Sequence, residues 1–550
     1  MNDATKEFQR IADDVIDDSL QADPVSATWL GDHRFDDRLP DFSHAAVRDR
    51  VLRINDHLTE LDAVDDVELS DSDQVDLEIL RAHLTKESFE LTELHALDWN
   101  PMLWNPGTAI HLLMSRDFAP FPDRLGSIVG RLADIPRFLA DARGQLRNMP
   151  RIHLETAIGQ FDGTRQLISD GLPSLVRMED MQLDSEVVDS AVESIDEHLR
   201  WLNEELPDAT GSPRLNARTY AGVLWHSLDD ASNANRLLSD AEEHLDRVTE
   251  QMRAVAAEYL GESGSRSGMV RDALAQIAAE SPVHDDSVLD LVSAALERTT
   301  EFVRAHDLVT IPITDTRVIE MPEIHRGVAV AYCDAPGPLE KADVPTYVAV
   351  SPTPSGWSAE QVSSFYREYN GTLLHDLTIH EAMPGHVLQL AHAQRLDTAT
   401  PVRRFGFSGV FVEGWAVYAE ELMIERGYQP TDDPKSALAI RLQQLKMQAR
   451  MAINAILDVR VHSMEMTEEE GMSLMTHRGF QEQGEATGKW RRALLTAGQL
   501  PTYFVGYRAV AGIAHDLRVL HPDWTDRQIH DLMLSQGSPA PRHLRSLLGI

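Results

Sequence analysis

The segment Leu373–Ala391, LLHDLTIHEAMPGHVLQLA, carries the most informative motif of the chain. It places two histidines, His380 and His386, and one carboxylate, Glu381, in an apolar stretch that is typical of a helix. In the common H-E-x-x-H pattern the two histidines are four residues apart and share one helical face. Here they are six apart, about 240° around a regular helix, so an undistorted helix could not direct both to one ion.

Two residues between the histidines predict a break in that helix. Pro384 has no amide hydrogen, and its ring clashes with the carbonyl group four residues earlier, which is that of His380. Gly385 permits φ values that other residues avoid. We therefore expect a bulge or break that turns His386 toward His380. On this interpretation the motif is H-E-x-x-H with two extra residues and the distortion that accommodates them.

A second acidic block follows at Phe411–Leu422, FVEGWAVYAEEL, with Glu413 and Glu420 two turns apart on one helical face. Two imidazoles and one carboxylate form the ligand set of a catalytic zinc site, which keeps a fourth position open. A carboxylate in this apolar run is costly unless it is paired or bound to metal. We predict one Zn²⁺ per chain held by His380, His386 and Glu413, although manganese or cobalt could take the same ligands.

Two further acids complete the predicted centre. Glu381 has the usual position of a general base, which takes a proton from the attacking water and passes it to the leaving amine. Glu420 could hold a ligand histidine in the required tautomer. The alternative is that Glu381 and Glu420 are solvated helix acids, and that the histidines are hydrogen-bonded core residues of a degenerate site.

Both blocks resemble a known family. HEAMPGHVLQ resembles HExxPGHHLQ of the domain of unknown function 885 family, in the gluzincin-like metallopeptidase group, and EGWAVYAE resembles that family's EGWAxYxE. The second block is also similar to NEGFAxYxE of the aminopeptidase N family, whose first Glu is the third zinc ligand. The resemblance implies the same role for Glu413 and places the following family acid at Glu420. One position departs from the pattern, because Val387 stands where the family often has a second histidine.

The resemblance extends from about Tyr332 to the C-terminus. RMAINAILDVRVHSMEMTEEEGMSLM resembles the family's R-x-V-V-D-T-G-x-H segment and gives Asp458 and His462. GQLPTYFVGY resembles G-Q-A-x-x-Y-x-x-G and gives Tyr503 and Gly506. The resemblance implies that Tyr503 and His462 stabilise an oxyanion. Asp458, four residues before His462, could orient that histidine or simply cap a local charge. Alternatively, Tyr503 is a core aromatic residue and His462 a hydrogen-bonded core histidine.

Two arginines near these segments, Arg450 and Arg508, are candidates for binding a substrate carboxylate through two parallel hydrogen bonds. Arginines in such positions also commonly form ion pairs, so both interpretations stay open. The single cysteine, Cys333, lies in an apolar run and is expected to be a buried small residue rather than a nucleophile.

Composition limits the classes of function. The 550 residues are 43% hydrophobic and 25% charged, as in ordinary globular proteins. A net charge of -39 argues against binding to nucleic acid or to an anionic membrane, because no basic surplus exists to neutralise phosphates. The first residues lack the basic and apolar regions of a signal peptide, and no apolar run is long enough to span a membrane. We therefore expect a cytoplasmic protein. Its oligomeric state is not indicated.

The pattern along the chain predicts a mainly α fold. Residues 1–307 carry helical periodicity, and residues 308–352 contain four short β-branched runs, VTIPI, RVIEMP, RGVAVAYCD and TYVAVSP. We predict an N-terminal helical region, 1–307, and a catalytic region, 308–550, with a small antiparallel sheet before the metal-binding helix. The whole would be a large zincin-like helical body with a cleft between lobes. The two regions could also form one continuous body.

The function most consistent with these predictions is a zinc-dependent hydrolase, namely a peptidase that cleaves short peptides. Two alternatives remain. An amidase or esterase acting on a small metabolite could use the same site, and a metal-free, inactive binding protein could keep the motif as a scaffold.

Overall fold

The computed structural model describes residues 2–230, 233–264, 266–321, 330–354, 356–398 and 400–550. Helices of all types account for 71% of the described residues, which confirms the prediction of a mainly α protein. No helix in these ranges combines the length and the apolar character that crossing a membrane requires.

The chain divides into two compact units. The first unit comprises residues 1–215, 336–344 and 398–406, and the second comprises 216–335, 345–397 and 407–550. This division does not coincide with the compositional boundary predicted near residue 308, because residues 216–307 belong to the second unit. The composition changes where strands begin, whereas the preceding helices pack on helices of the second unit.

The first unit is built mainly from helices α1 to α10. Their bounds are α1 (Asp3–Ala22), α2 (Pro24–Leu30), α3 (His44–Ala63), α4 (Asp71–Phe89), α5 (Ala96–Trp99), α6 (Gly107–Ser115), α7 (Phe121–Gln145), α8 (Arg151–Gln166), α9 (Leu172–Met178) and α10 (Ser185–Glu205). Among them, α7 and α10 pack side by side around a core that includes Trp104, Phe138 and Phe161.

Further helices follow in chain order. They are α11 (Ala217–Leu228), α12 (Ala234–Leu260), α13 (Met269–Glu280), α14 (Val288–Ala305), α15 (Ala359–Glu368), α16 (Gly371–Glu381), α17 (His386–Gln394), α18 (Val402–Phe405), α19 (Gly409–Glu425), α20 (Lys435–Ser463), α21 (Glu468–Ser473), α22 (Gln483–Leu495), α23 (Thr502–Leu520), α24 (Asp526–Leu534) and α25 (Pro541–Leu548). All belong to the second unit except the short α18, which lies in a segment of the first.

Short turns of other helical types also occur. Turns of 3-10 helix lie at His33–Phe35, Asp66–Glu68, Pro101–Trp104 and Leu206–Asp208, and π-helical turns at Glu90–Leu94, Leu167–Gly171 and Leu474–Arg478.

The second unit also contains a three-stranded sheet in the order β1-β3-β2. Its strands are β1 (Thr316–Glu320), β2 (Ala331–Asp334) and β3 (Thr346–Val350). β2 is antiparallel to β3, but β1 is parallel to β3. The sheet is therefore mixed, and the prediction of an antiparallel sheet was wrong for β1. A parallel pair needs a long connection, and here the chain passes through β2 before it returns as the central strand.

The predicted strand at VTIPI, residues 309–313, is not formed. The amide and hydroxyl groups of Thr310 donate to the carboxylate of Asp531, and the Thr310 carbonyl group pairs with His392 Nε2 at 2.8 Å. Side chains of α24 and α17 therefore satisfy this backbone in place of a neighbouring strand. Part of the predicted strand RGVAVAYCD falls in 322–329, outside the described residues.

The core of the second unit surrounds the motif segment Leu373–Ala391. Ile379, Met383, Val387 and Leu388 are buried with Phe411 and other apolar residues of α19, α20 and α23. The helix that begins at Gly371 and the one that begins at Gly409 are therefore fixed on each other by apolar packing, which is the dominant stabilising contribution in a helical core.

Candidate metal centre

The predicted break in the motif helix is present. Helix α16 begins at an Asn370 cap, whose side chain accepts a hydrogen bond from Leu373 N, and it ends at Glu381. A new helix, α17, begins at His386 after four non-helical residues. His380 therefore lies in the last turn of one helix and His386 at the start of the next. This interruption removes the angular separation that a continuous helix would impose on the two rings.

The break requires glycine at position 385, although for a different reason from the one predicted. Gly385 has φ -76°, not a positive value. A Cβ atom there would lie 2.5 Å from the carbonyl carbon of His380, closer than real Cβ atoms come to any backbone. Trp415 of α19 holds the same turn, because its indole N–H donates to the Pro384 carbonyl oxygen at 2.9 Å. The glycine therefore permits close backbone approach.

The structure brings the three predicted ligands together. The Nε2 atom of His380 lies 3.5 Å from Glu413 Oε2, and the Nε2 atom of His386 lies 3.7 Å from the same oxygen. The two imidazole rings are 4.8 Å apart between centroids and nearly perpendicular. One ligand atom from each residue falls within 4.8 Å of the others. Ligands at about 2.0–2.1 Å from a tetrahedral zinc ion would be about 3.3 Å apart, so small movements would complete the shell.

The chemistry of these donors fits a metal ion. Glu413 Oε2 is buried and makes no hydrogen bond within the described part of the chain. Burial by itself raises the pKa of Glu413, but the neighbouring imidazoles of His380 and His386 lower it overall, so this carboxyl group favours the ionised form. Burial lowers the pKa of His386 to about 4, which favours the neutral imidazole that a metal requires.

Glu420 orients one of the two imidazoles. Its Oε1 atom accepts a hydrogen bond from His380 Nδ1 at 2.7 Å, which leaves Nε2 of the same ring facing Glu413. The Glu420 side chain is almost fully buried and lies two turns after Glu413 on α19. Such a carboxylate fixes the tautomer and the orientation of a ligand histidine.

Glu381 lies next to His380 at the end of α16. Burial raises the pKa of Glu381 to about 7, an effect opposed by the charge of His380 and increased by that of Glu413. The carboxylate also accepts a backbone hydrogen bond from Cys333 in β2. Cys333 therefore contributes its amide group to the centre, while its half-buried thiol is a separate feature. A carboxyl group with a pKa near 7 lies in the range suited to a general base.

Tyr503 of α23 also lies at the centre. Its phenol helps to lower the pKa of Glu413, and its ring stacks near His380 with 6.5 Å between centroids. Gly414 and Gly506 allow this approach. A Cβ atom on Gly414 would lie 2.6 Å from Gly506 Cα, and one on Gly506 would lie 2.8 Å from Gly414 Cα. Helices α19 and α23 therefore pack backbone against backbone beside these two side chains.

Asp458 and His462 lie on α20 and hold the chain that leads to Tyr503. The Asp458 carboxylate accepts hydrogen bonds from Tyr220 Oη at 2.7 Å and from Gly498 N at 3.0 Å. The Nε2 atom of His462 bonds to the carbonyl oxygens of Ala493 and Thr496 at 3.0 and 2.9 Å. These contacts fix residues 493–498. A direct role for His462 at the reacting carbonyl stays a prediction.

The two predicted carboxylate-binding arginines form ion pairs. Arg508 is half-exposed and pairs with Asp240 at 2.5 Å. Arg450 is buried and contacts Glu485 and Glu368. The structure therefore places acidic partners from the protein itself on both guanidinium groups.

Sequence reasoning did not single out Arg492. Its Nη2 atom lies 3.5 Å from Tyr503 Oη and donates to Gln499 Oε1 at 2.8 Å. The one feature of the sequence that could have indicated it is its position, because Arg492 ends the basic run KWRR six residues before the segment GQLPTY. Motif spacing alone does not show that α22 returns to the metal centre.

Comparison with known proteins places the chain in a family. A family described as bacterial proteins of unknown function, DUF885, matches residues 24–548. The chain belongs to the DUF885 family. The comparison with curated proteins gives no significant match.

Two solved structures of similar fold match over nearly the whole chain. A protein from Shewanella oneidensis, described as a candidate lipoprotein of unknown function, is 29% identical with a TM-score of 0.81, covering 99% of this chain and 100% of its own. A candidate lipoprotein from Colwellia psychrerythraea is 14% identical with a TM-score of 0.79, covering 99% of each chain. The cytoplasmic location expected for the present DUF885 chain stays a prediction.

Proposed function

We propose that this DUF885 protein is a zinc-dependent peptidase that hydrolyses short peptides. The observation that carries the proposal is the convergence of His380, His386 and Glu413, which have one donor atom each within 4.8 Å of the others, beside the carboxylate of Glu381. A zinc ion bound there would polarise a scissile carbonyl and lower the pKa of a bound water to about 7.

The residues of the chain supply the remaining chemistry. Glu381 takes a proton from the attacking water and delivers it to the leaving nitrogen. This relay suits amides and peptides, because an amine leaves only after it has been protonated. Glu420 keeps Nε2 of His380 directed at the centre. Tyr503, whose ring lies beside that of His380, can direct its phenolic hydrogen to the developing oxyanion, where a donor stabilises the transition state.

Substitution of Glu381 by glutamine tests the proposal. The variant should keep the metal content of the wild type and lose about 100- to 10,000-fold in turnover of short peptides, because the amide has the shape of the carboxylate but cannot accept the proton. Metal content is measured on protein purified without added zinc, and turnover is measured on a panel of peptides, acyl amides and esters.

The matched control is Glu425→Gln on the exposed end of α19, which should leave both properties unchanged. Normal turnover by Glu381→Gln would remove this residue as the base. Protein that neither retains transition metal nor gains activity when zinc is added would instead indicate an inactive scaffold.

A further inference from the structure

Arg492 lies beside the metal centre. It belongs to α22, and its guanidinium Nη2 atom lies 3.5 Å from the phenol of Tyr503. The ring of Tyr503 stacks on that of the candidate ligand His380, with 6.5 Å between centroids. Tyr503 therefore contacts both the guanidinium group and the candidate ligand set.

Within the described ranges, Arg492 has no carboxylate partner within ion-pair distance. Other arginines of the second unit do have one, including Arg450 with Glu485, Arg460 with Glu242 and Arg508 with Asp240. Both contacts of Arg492 involve Nη2, at 2.8 and 3.5 Å, so within the described residues the N–H groups of Nε and Nη1 make no hydrogen bond and can donate to a carboxylate of the substrate.

A second cation reinforces this position. Lys489 precedes Arg492 by three residues on α22, so the two side chains share a helical face. Burial lowers the pKa of Lys489 to about 7; the charge of Glu485 opposes this effect, while the guanidinium groups of Arg450 and Arg492 add to it.

The short separation limits which carboxylate could be bound. In an extended peptide, one residue spans about 3.3–3.6 Å, so a free α-carboxylate lies about one residue beyond the last peptide carbonyl. A peptide whose last amide carbonyl occupies the metal centre would thus place its terminal carboxylate near the guanidinium group of Arg492, which contacts the Tyr503 hydroxyl group. A carboxylate farther along the substrate would extend past Arg492.

We infer that Arg492, supported by Lys489, binds the free α-carboxylate of the substrate, so that the protein releases single residues from peptide C-termini. The inference rests on the proposed function and specifies its substrate class. Pairing of the guanidinium group with the terminal carboxylate also fixes the register of the peptide, since the terminal residue determines which amide reaches Glu381.

The test compares an N-acylated tripeptide that has a free C-terminal carboxylate with the same tripeptide as a C-terminal amide. Wild-type, metal-loaded protein should cleave the free acid with a kcat/KM at least about tenfold higher, because a charged hydrogen-bonded pair is lost with the amide. Arg492→Gln should remove this preference mainly through KM, and Arg492→Lys should restore part of it. Arg491→Gln, an exposed neighbour on the same helix, serves as the control.

The outcomes separate the two proposals. Equal cleavage of acid and amide by the wild type, with Glu381-dependent activity on both, would overturn the role of Arg492 and leave the peptidase proposal intact. No Glu381-dependent cleavage of any peptide would overturn the peptidase proposal itself. Because the substrate comparison uses the wild-type protein, it gives an answer even if the Arg492 variants do not fold. In metal-loaded Glu381→Gln protein, tighter binding of the acid than of the amide would support the same carboxylate site.

Discussion

The two candidate histidine ligands differ in how their rings are held. The Nδ1 atom of His380 is bonded to Glu420, whereas Nδ1 of His386 is buried and has no hydrogen-bond partner among the residues that the structure describes. Val387, at the position where the family often has a second histidine, packs into the apolar core. The orientation of His386 therefore depends on the backbone break and on packing.

This asymmetry predicts a measurable effect of Glu420→Gln. The amide keeps the size of the side chain but weakens the hydrogen bond that directs Nε2 of His380 at the centre. We expect zinc affinity to fall about 10- to 100-fold, as is usual when the partner of a ligand histidine is removed. Competition with a chromophoric chelator measures the affinity. Glu425→Gln on the same helix is the control, and equal affinity of Glu420→Gln and wild type would contradict the assigned role.

At the residue scale, the sequence predicts the convergence of the candidate ligands better than it predicts contacts between distant segments. Two short segments contain His380, Glu381, His386 and Glu413, and the spacing of these residues within the segments predicts a metal site. Arg492 reaches Tyr503 only because α22 and α23 are folded against the same region, and no local pattern records that arrangement. The ion pairs of Arg450 and Arg508 likewise depend on acids distant in sequence.

At the scale of elements, the break between α16 and α17 matters most. Gly385→Ala would place a methyl group 2.5 Å from the His380 carbonyl carbon, so the turn must open and carry His386 away. We expect a loss of about 1–3 kcal/mol in the free energy of unfolding, as in other overpacked sites, together with weaker zinc binding. Thermal unfolding and zinc titration measure the two effects.

The control for this change is Gly409→Ala at the first residue of α19, where an added Cβ meets no atom within 4 Å. That variant should keep both stability and zinc affinity. A Gly385→Ala protein that binds zinc as tightly as the wild type would show that the close backbone approach is not needed to position His386.

Elements were predictable where the signal is local. Pro384 and Gly385 indicated the interruption of a helix, and α16 ends where expected. The parallel pairing of β1 with β3 was not predictable, because a strand's own residues do not record which neighbour it will have. The run at 309–313 has the composition of a strand, but side chains from α17 and α24 bond to its backbone.

At the scale of the whole molecule, the division of the chain into two units cannot be recognised in the sequence, because amphipathic helices of both units have the same pattern. The helices α11 to α14 resemble those before them, yet α12 packs on α20 and α14 packs on α16. The second unit therefore begins at residue 216, far upstream of the change in composition.

The first unit should show a pH-dependent stability. His33 bonds to Asp36 at 2.9 Å and to Glu340 at 2.8 Å; burial opposes its protonation, but these two carboxylates raise its pKa from 6.5 to about 9. The stabilising charge pair is fully present below about pH 6.5 and is lost as the pH rises through about 9. Comparing His33→Gln with wild type from pH 6 to pH 10 by thermal unfolding tests this.

The Tm difference between the two proteins should be largest at the acidic end and should shrink toward alkaline pH. His44→Gln, at the first residue of α3, is the control and should show no such trend. A constant difference across the range would mean that His33 contributes through packing on Phe118, with which it stacks at 3.6 Å, and not through its charge.

Gly414 and Gly506 leave only main-chain atoms where α19 and α23 cross. Both residues already lack a side chain. A larger residue at one position therefore cannot be accommodated by a smaller residue at the other. Across the relatives of this protein the two positions should therefore be inherited as a pair. Relatives that have replaced one of the two glycines should also have replaced the other. In such relatives we expect Tyr503 and Glu413 to be less strictly conserved.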